Sequence, residues 1–313
     1  MNLSKIVNNG VLLLDKPKLH SSNSVLQYVK KIFKIKKAGY IGTLDPLATG
    51  MLPICFGEST KFLKYLSNAK KRYLVIAKLG VQTTTFDSLG EVIKKTSIIN
   101  IKKDFLKRCL KKFIGKIEQI PPMYSALKHK GIPLYKYARK GITIFRKTRK
   151  ITIYELDYII HNNNFIKLKI LCSTGTYVRT LIDDLGKLLG CGAHIVYLRR
   201  LEVSFYLENQ LVSLNIINRI KNYFYRSNSL SYLNFFRKII LPTDSLLSNF
   251  PIFKLNDCFS FDFSCGKKIS IFIKKKNKTK LVRVLKKSNN KFLGVGKIQE
   301  NNLLIPIRLI SSF

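Results

Sequence analysis

The sequence predicts an α+β protein: a mixed, largely antiparallel central sheet flanked by helices, followed by a small β-rich C-terminal module. Three observations lead there. Apolar residues make up 46% of 313 residues, enough to bury a sizeable core in one large domain or in a large domain plus a small one. Helical and strand periodicities alternate irregularly, with a hairpin signature in the middle, unlike the regular repeat of a doubly wound fold. Beyond Phe250, short β-runs recur.

In order along the chain, GVLLLDKP from Gly10 reads as a short buried strand closed by Asp15-Lys16-Pro17. Ser24 is placed to cap a helix over Val25–Ile35, with Val25, Val29, Ile32 and Phe33 on one face. The loop GYIGTLDPLATGMLP (39–53) holds three glycines, two prolines and a single charge, Asp45. LPICFG (52–57) reads as a strand, and Ser59 and Thr60 then open a helix carrying Phe62, Leu63 and Leu66. In KRYLVIAKLGV (71–81), Tyr73, Val75, Ala77 and Leu79 alternate with Arg72, Leu74, Ile76 and Lys78, the period of a strand with Tyr73 near its start. A basic helix is expected over 102–113, and IPPMYSALKHKG (120–131) is extended and turn-rich. Two strands around the asparagines at 162–164 predict a hairpin. TYVRTLIDDLGKLLG (176–190) spaces Val178, Leu181, Ile182, Leu185 and Leu189 as a helix ended by Gly190. Residues 206–249 are weakly patterned and read as a variable insertion. SIFIKKK, TKLVRVLKK and KFLGVGKI then make up a small all-β module from Phe250.

The charge balance is extreme, with 57 Lys+Arg against 17 Asp+Glu for a net +40. A field of that sign favours a polyanion, and nucleic acid is the usual one. The abundance of Ile, Asn, Phe and Tyr is also what codon bias towards A and T produces, and such bias inflates lysine. No sustained basic amphipathic helix suits a membrane surface, and no segment approaches the ~20 apolar residues of a span. The N-terminal apolar run is too short for a signal segment. Six cysteines without CxxC pairing suit reduced thiols, so a cytoplasmic protein is expected. Cys191-x-x-His194 lacks two further ligands at plausible spacing, so no metal is expected. GxGxxG, Walker, HExxH and GxSxG patterns are absent.

Asp45 is the residue that most needs a reason. Pro46 biases it towards extended backbone, and the flanking glycines allow a tight turn and close approach of a bulky ligand. Taken alone, it fits an Asx-turn or a helix cap as well as chemistry. Arg179 sits in the first turn of its helix, against the dipole, where it pairs a carboxylate, grips a phosphate or simply faces solvent. Tyr73 on a strand face is a core residue or a working one.

GTLDPLATGMLPICFGESTKF, KRYLVIAKLG, IPPMYSALKHKGIPLYKYARKG and STGTYVRTLIDDLGKLLGCGAHIVYLRRLEV, in that order and spacing, closely resemble the bacterial tRNA pseudouridine-55 synthases of the TruB family. The likeness is dense from Gly10 to Ser204, fades over 206–249, and returns more loosely over 250–313, where that family carries a small PUA-type RNA-binding domain. It implies a pseudouridine synthase fold, with a catalytic domain over 1–249 and a PUA-like domain over 250–313. The implied activity is isomerisation of uridine to pseudouridine at position 55 in the T-loop of tRNA, without metal or cofactor.

By the same resemblance, Asp45 is the nucleophile, Arg179 pairs with it, and Tyr73 stacks on the flipped base. Tyr177 and Leu198 line the substrate pocket, and Lys16-Pro17 packs beneath it. The route, through attack at C1′ of the ribose or addition at C6 of the uracil, stays open. Residues 120–145 correspond to a mobile element that grips RNA and closes over the stem-loop. The expected partner is the tRNA T-stem-loop, with no guide RNA and no membrane, bound by a monomer. One departure stands out: Tyr40, in Gly39-Tyr-Ile-Gly42, replaces the histidine usual in the family. Tyrosine still stacks and donates one hydrogen bond but carries no charge near neutral pH, so weaker or slower substrate capture is expected with chemistry retained. A tRNA-binding or tRNA-folding protein without activity is the second reading. The joint presence of Asp45, Tyr73, Tyr177 and Arg179 favours catalysis.

Overall fold

The computed structural model describes residues 9–97, 101–162, 164–227, 238–271 and 280–311. Its first part runs β1 (Gly10–Lys16), α1 (Ser22–Phe33), β2 (Ala38–Tyr40), β3 (Thr49–Phe56), β4 (Lys71–Leu79) and the hairpin β5 (Val81–Thr83) with β6 (Val92–Lys95). It continues through α2 (Lys103–Lys111), β7 (Gly115–Gln119), the small hairpin β8 (Lys128–His129) with β9 (Ile132–Pro133), and α3 (Leu134–Ala138). Then come β10 (Arg149–Asn162), β11 (Phe165–Cys172), α4 (Val178–Leu188), β12 (Ala193–Val203), β13 (Val212–Ser213), α5 (Leu214–Ser227) and β14 (Ile240–Leu241).

These strands build a ten-stranded sheet in the order β13-β1-β3-β12-β4-β11-β10-β7, with β14 also on β1 and β2 also on β3. The pairings are antiparallel except β1 with β13 and β12 with β3, so the sheet is mixed and largely antiparallel, as the sequence predicts. The expected hairpin is β10 and β11, although residue 163 of its turn lies outside the described residues. β12 meets β3 only at Arg199↔Thr49 and Arg200↔Gly50, before the two diverge.

β1 is buried on both faces, which explains its unbroken Val-Leu-Leu-Leu run. Leu12 and Leu14 enter the main core with α1, α2, α4 and α5. Val11 and Leu13 enter a second core on the opposite face. Val25, Val29, Ile32 and Phe33 of α1 are buried as the pattern requires, but the cap differs from expectation. Ser21, not Ser24, is the N-cap, accepting from the Ser24 backbone N–H at 2.9 Å. The run Ser21-Ser22-Asn23-Ser24 offers several caps, and Ser22 settles the choice, because its buried hydroxyl exchanges hydrogen bonds with the backbone of Leu44. The segment after β3 is a 3-10 helix over Gly57–Leu66, with Phe62 and Leu66 buried.

The C-terminal module is a five-stranded sheet in the order β15 (Ile252–Leu255), β17 (Lys280–Lys286), β18 (Phe292–Ile298), β19 (Leu303–Leu309), β16 (Ile269–Ser270). TKLVRVLKK and KFLGVGKI supply β17 and β18, whereas residues 272–276 of SIFIKKK lie outside the described residues, as do 228–237 of the weakly patterned stretch. The module has its own core around Phe263, Val284 and Leu304. It also shares the second core: Phe292 packs on Phe62 with centroids 5.3 Å apart, and Phe250 packs on Tyr65 at 5.4 Å. Glu58 ties the same seam, accepting from the Ser311 backbone at 3.2 Å and hydroxyl at 2.7 Å. Burial disfavours its charge, yet hydrogen bonds from Lys61 and Ser311 outweigh that and hold the carboxyl at about 2.

Candidate active site

Residues 41–48 connect β2 to β3, which pair with one another, so the loop leaves and re-enters one sheet edge with Asp45 between. It is fastened from below. The Asp45 carbonyl accepts from Ala48 N–H at 3.0 Å, and the Pro46 carbonyl accepts from Leu19 N–H at 2.8 Å. The fully buried Lys16 donates to the carbonyls of His20 at 2.7 Å, Pro17 at 2.8 Å and Pro46 at 3.5 Å. Gly42 and Gly50 have φ of +66° and +92°, so the tight turning expected of them is present. The open space expected beside them is not. A Cβ on Gly50 would lie 2.3 Å from the Arg200 carbonyl oxygen, and one on Gly42 would lie 3.1 Å from Arg200 Nη1. Arg200, joined by Lys71 beside Gly42, fills the room that these two glycines leave.

Arg179 is the second residue of α4 and meets Asp45 in a two-point pair, Nε donating to Oδ2 at 2.8 Å and Nη2 to Oδ1 at 2.9 Å. Its remaining directions are also used. Nη1 donates to the Thr85 carbonyl at 2.9 Å, and Nη2 to the Tyr124 carbonyl at 2.8 Å. The Arg179 side chain is 5% exposed and that of Asp45 is 35% exposed, so the acid reaches solvent while its partner does not. This geometry decides between the readings the sequence leaves open: the arginine is neither solvated nor free to take a phosphate. A second carboxylate, Asp87, lies 3.9 Å from Arg179 Nε and accepts from the Thr85 hydroxyl at 2.7 Å and Leu89 N–H at 3.0 Å. Two acids facing one guanidinium offset its unfavourable place at a helix N-terminus.

The start of α4 is fixed by the side-chain amide of Gln119, at the end of β7, which accepts from Tyr177 N–H at 2.8 Å and donates to the Tyr177 carbonyl at 3.1 Å. Tyr177 is half-buried. Burial pushes its phenol above the ordinary range, opposed by Ser125, and Asp45 is among the charges acting on it. Tyr73 is buried on β4, where burial likewise raises its phenol against the opposing Arg200 guanidinium, and Asp45 acts on it too. Leu198 is buried on β12, opposite Val75 of β4. Tyr40 is half-buried at the end of β2 and packs on the main core. The structure therefore gathers Asp45, Arg179 and Lys16 by direct contact or through the loop backbone, brings Tyr73 and Tyr177 within reach of the Asp45 charge, and sets Leu198 and Tyr40 in the flanking strands.

Asp87, Gln119 and Arg200 are absent from the sequence reading. Arg200 had a usable signal. Two consecutive charges on a strand face opposite ways, so one of Arg199-Arg200 has to point inward. Arg199 takes the outer side, pairing with Asp15 at 2.9 Å and Glu208 at 2.7 Å. Among the described residues no cluster of three or more His, Cys, Asp or Glu side chains is placed to hold a metal, and no helix is long and apolar enough to cross a membrane. His194 Nδ1 lies 2.8 Å from the Val81 carbonyl.

Two lysines lie under the site. Burial lowers Lys16 to about 8, with Asp45 acting in the opposite direction, and burial lowers Lys71 to about 8, with Arg200 reinforcing it. The folded pKa of Lys71 lies below its unfolded value of 10.5, so the unfolded chain holds more protons between those limits and stability rises with pH across them. The difference in unfolding free energy between the wild type and Lys71→Met is expected to shift towards the wild type by about 2 kcal/mol from pH 7 to pH 10, at 1.36 kcal/mol per pKa unit. Denaturant titrations of both proteins at those pH values check this. A flat difference would mean Lys71 is not charged and desolvated at neutral pH.

Comparison with known proteins follows the same lines. Residues 30–178 match the family model described as "TruB family pseudouridylate synthase (N terminal domain)". Residues 179–248 match "tRNA pseudouridylate synthase B C-terminal domain", and 251–310 match "Pseudouridine synthase II TruB, C-terminal". The chain is 52% identical over 306 residues to a tRNA pseudouridine synthase B of Buchnera aphidicola subsp. Acyrthosiphon pisum (97% of this chain, 96% of that one). It is 45% identical over 305 residues to the protein of that name from Escherichia coli O1:K1 / APEC, again over 97% and 96% of the two chains. Among solved structures it superposes on a chain of a Cbf5-Nop10-Gar1 complex with a TM-score of 0.72 at 23% identity, over 99% of this chain and 87% of that one, which shows the fold. With the acid of the loop before β3 paired to the arginine of α4, and this likeness along nearly its whole length, the chain belongs to the TruB family of pseudouridylate synthases.

Proposed function

We propose that this chain isomerises uridine to pseudouridine at position 55 in the T-loop of tRNA. The observation that carries the proposal is the two-point ion pair between a buried Arg179 and a solvent-reachable Asp45. In the reaction the bond between C1′ and N1 breaks, a bond between C1′ and C5 forms, N1 gains a proton and C5 loses one. Nothing is oxidised or reduced. Such a reaction needs a nucleophile or an anion at the sugar, which a held carboxylate supplies, and it needs no metal or cofactor. Arg179 aims the Asp45 carboxylate by holding both of its oxygens. The target base leaves its stack to reach the carboxylate. Tyr73 stacks on it, Leu198 and Tyr177 line its pocket, Lys16 holds the loop, and Tyr40 stands where the family usually places a histidine.

The domain assignment follows: 1–249 is catalytic and 250–313 is a PUA-like RNA-binding domain. The 120–145 segment grips the RNA, consistent with the exposed Phe145 and Ile142 beside its lysines and arginines. The protein acts as a monomer in the cytoplasm, on the T-stem-loop and without a guide RNA; the name shared by the bacterial relatives supports tRNA as the substrate.

Pseudouridine mapping in tRNA from cells with and without the gene, paired with in vitro tritium release from C5-labelled tRNA, tests this directly. Position 55 should be modified only when the protein is present. An unchanged position 55 together with tight tRNA binding would leave only the RNA-folding role.

A further inference from the structure

We propose that Arg200 is a positioning residue for the reaction, a cross-tie that fixes the Asp45 loop relative to Tyr73. The proposal rests on Asp45 as the nucleophile and goes beyond it. Arg200 is completely buried. Its guanidinium reaches across the loop from β12 and holds both ends. Nε donates to the Met51 carbonyl, past the loop, at 2.7 Å. Nη2 donates to the Gly42 carbonyl, at the start of the loop, at 2.9 Å, with the Ile41 carbonyl at 3.4 Å. The stretch from Gly42 to Met51, which contains Asp45, is thereby closed by one side chain.

The same residue sets the register with Tyr73. Arg200 and Tyr73 are directly opposed on β12 and β4, so their side chains share a face, and the guanidinium acts on the Tyr73 phenol. Backbone placement reinforces the tie. Arg200 is also opposed to Gly50 across the short parallel contact with β3, where only glycine fits against its carbonyl. The three attachments join the nucleophile loop, the neighbouring strand and the stacking tyrosine at one point.

A role in filling space alone accounts poorly for this choice. The partners of Arg200 are carbonyls, and two further cations lie close by, since its charge lowers the pKa of both Lys16 and Lys71. A buried guanidinium without an acid is costly, and an apolar chain of similar volume commonly packs as well. What an apolar chain lacks is a planar fork that binds carbonyls on two sides at once. Displacement of a reacting group by about an ångström costs on the order of 100-fold in rate, so a tie of this kind is expected to be read in catalysis.

The test uses the full-length protein and tRNA. In single-turnover assays Arg200→Lys, which keeps the charge but not the fork, is expected to lower the rate about 100-fold while tRNA affinity stays within about threefold and the melting temperature falls little. Guanidinium ion added to Arg200→Ala should restore part of the rate, which a purely packing role would not predict. Gly42→Asn provides a second route should the arginine variants fail to fold. Asparagine tolerates the left-handed backbone there but intrudes on Arg200 Nη1 and on the Lys71 side chain beside it. This variant should reproduce the rate loss with Arg200 intact, while Lys71→Met, which frees only the lysine side, should not. Wild-type turnover by Arg200→Lys or by Gly42→Asn, or a loss confined to tRNA affinity, overturns the proposal. If Asp45→Asn is inactive while Arg200→Lys is fully active, only the cross-tie fails. If Asp45→Asn keeps its activity, the nucleophile assignment fails first.

Discussion

Asp45→Asn is expected to reduce turnover by at least about 10⁴-fold, with tRNA binding and melting temperature close to wild type. The side chain keeps its shape, so the loop keeps its fastenings: the Ala48 and Leu19 turn bonds, the Lys16 ammonium and the Ser22–Leu44 exchange all use backbone groups that the substitution leaves in place. Arg179 also retains the Thr85 and Tyr124 carbonyls and the nearby Asp87 carboxylate. What disappears is the anion. Tritium release from C5-labelled tRNA reads the loss, and turnover retained in a clean preparation refutes the nucleophile.

Arg179 carries the second large effect, and its variants separate two contributions. Arg179→Lys keeps a positive charge between Asp45 and Asp87 but replaces two aligned donors by a point charge, so turnover should fall about 10²- to 10³-fold with modest loss of stability. Arg179→Ala also leaves the buried Asp87 without its cation. Removing one partner of a buried pair costs about 3–5 kcal/mol, so this variant should unfold at clearly lower denaturant. Equal stability of the two variants would show that Asp87 does not depend on Arg179. Full activity of Arg179→Lys would show that the two-point geometry is unimportant.

How much of this was legible in the sequence depended on whether a residue's purpose was local. Tyr73, Val75, Ala77 and Leu79 were readable because the period of two is a property of one strand, and all four are buried on β4. The Asp45 loop was readable from its glycines, prolines and solitary charge. The glycines were nonetheless given the wrong neighbour, because a partner 150 residues away cannot be inferred from spacing. Arg200 half announced itself through the doublet with Arg199. Asp87 did not. It sits in a short hairpin, and its importance comes from α4 bringing Arg179 alongside. Gln119 is likewise an ordinary strand-end amide until the fold lays the start of α4 over it. The Ser21–Ser24 cap was missed by three residues because the deciding bond, from Ser22 to Leu44, is tertiary.

The seam between the two sheets carries a mechanical consequence. Phe62 and Tyr65 follow directly from β3, the strand that leaves the Asp45 loop, and they interlock with Phe292 and Phe250 of the C-terminal module. The module is therefore bolted behind the strand that leaves the Asp45 loop instead of trailing on a hinge. Its surface is thereby held at a set distance from Asp45, so a shift of the module is carried into the strand that leaves the acid's loop.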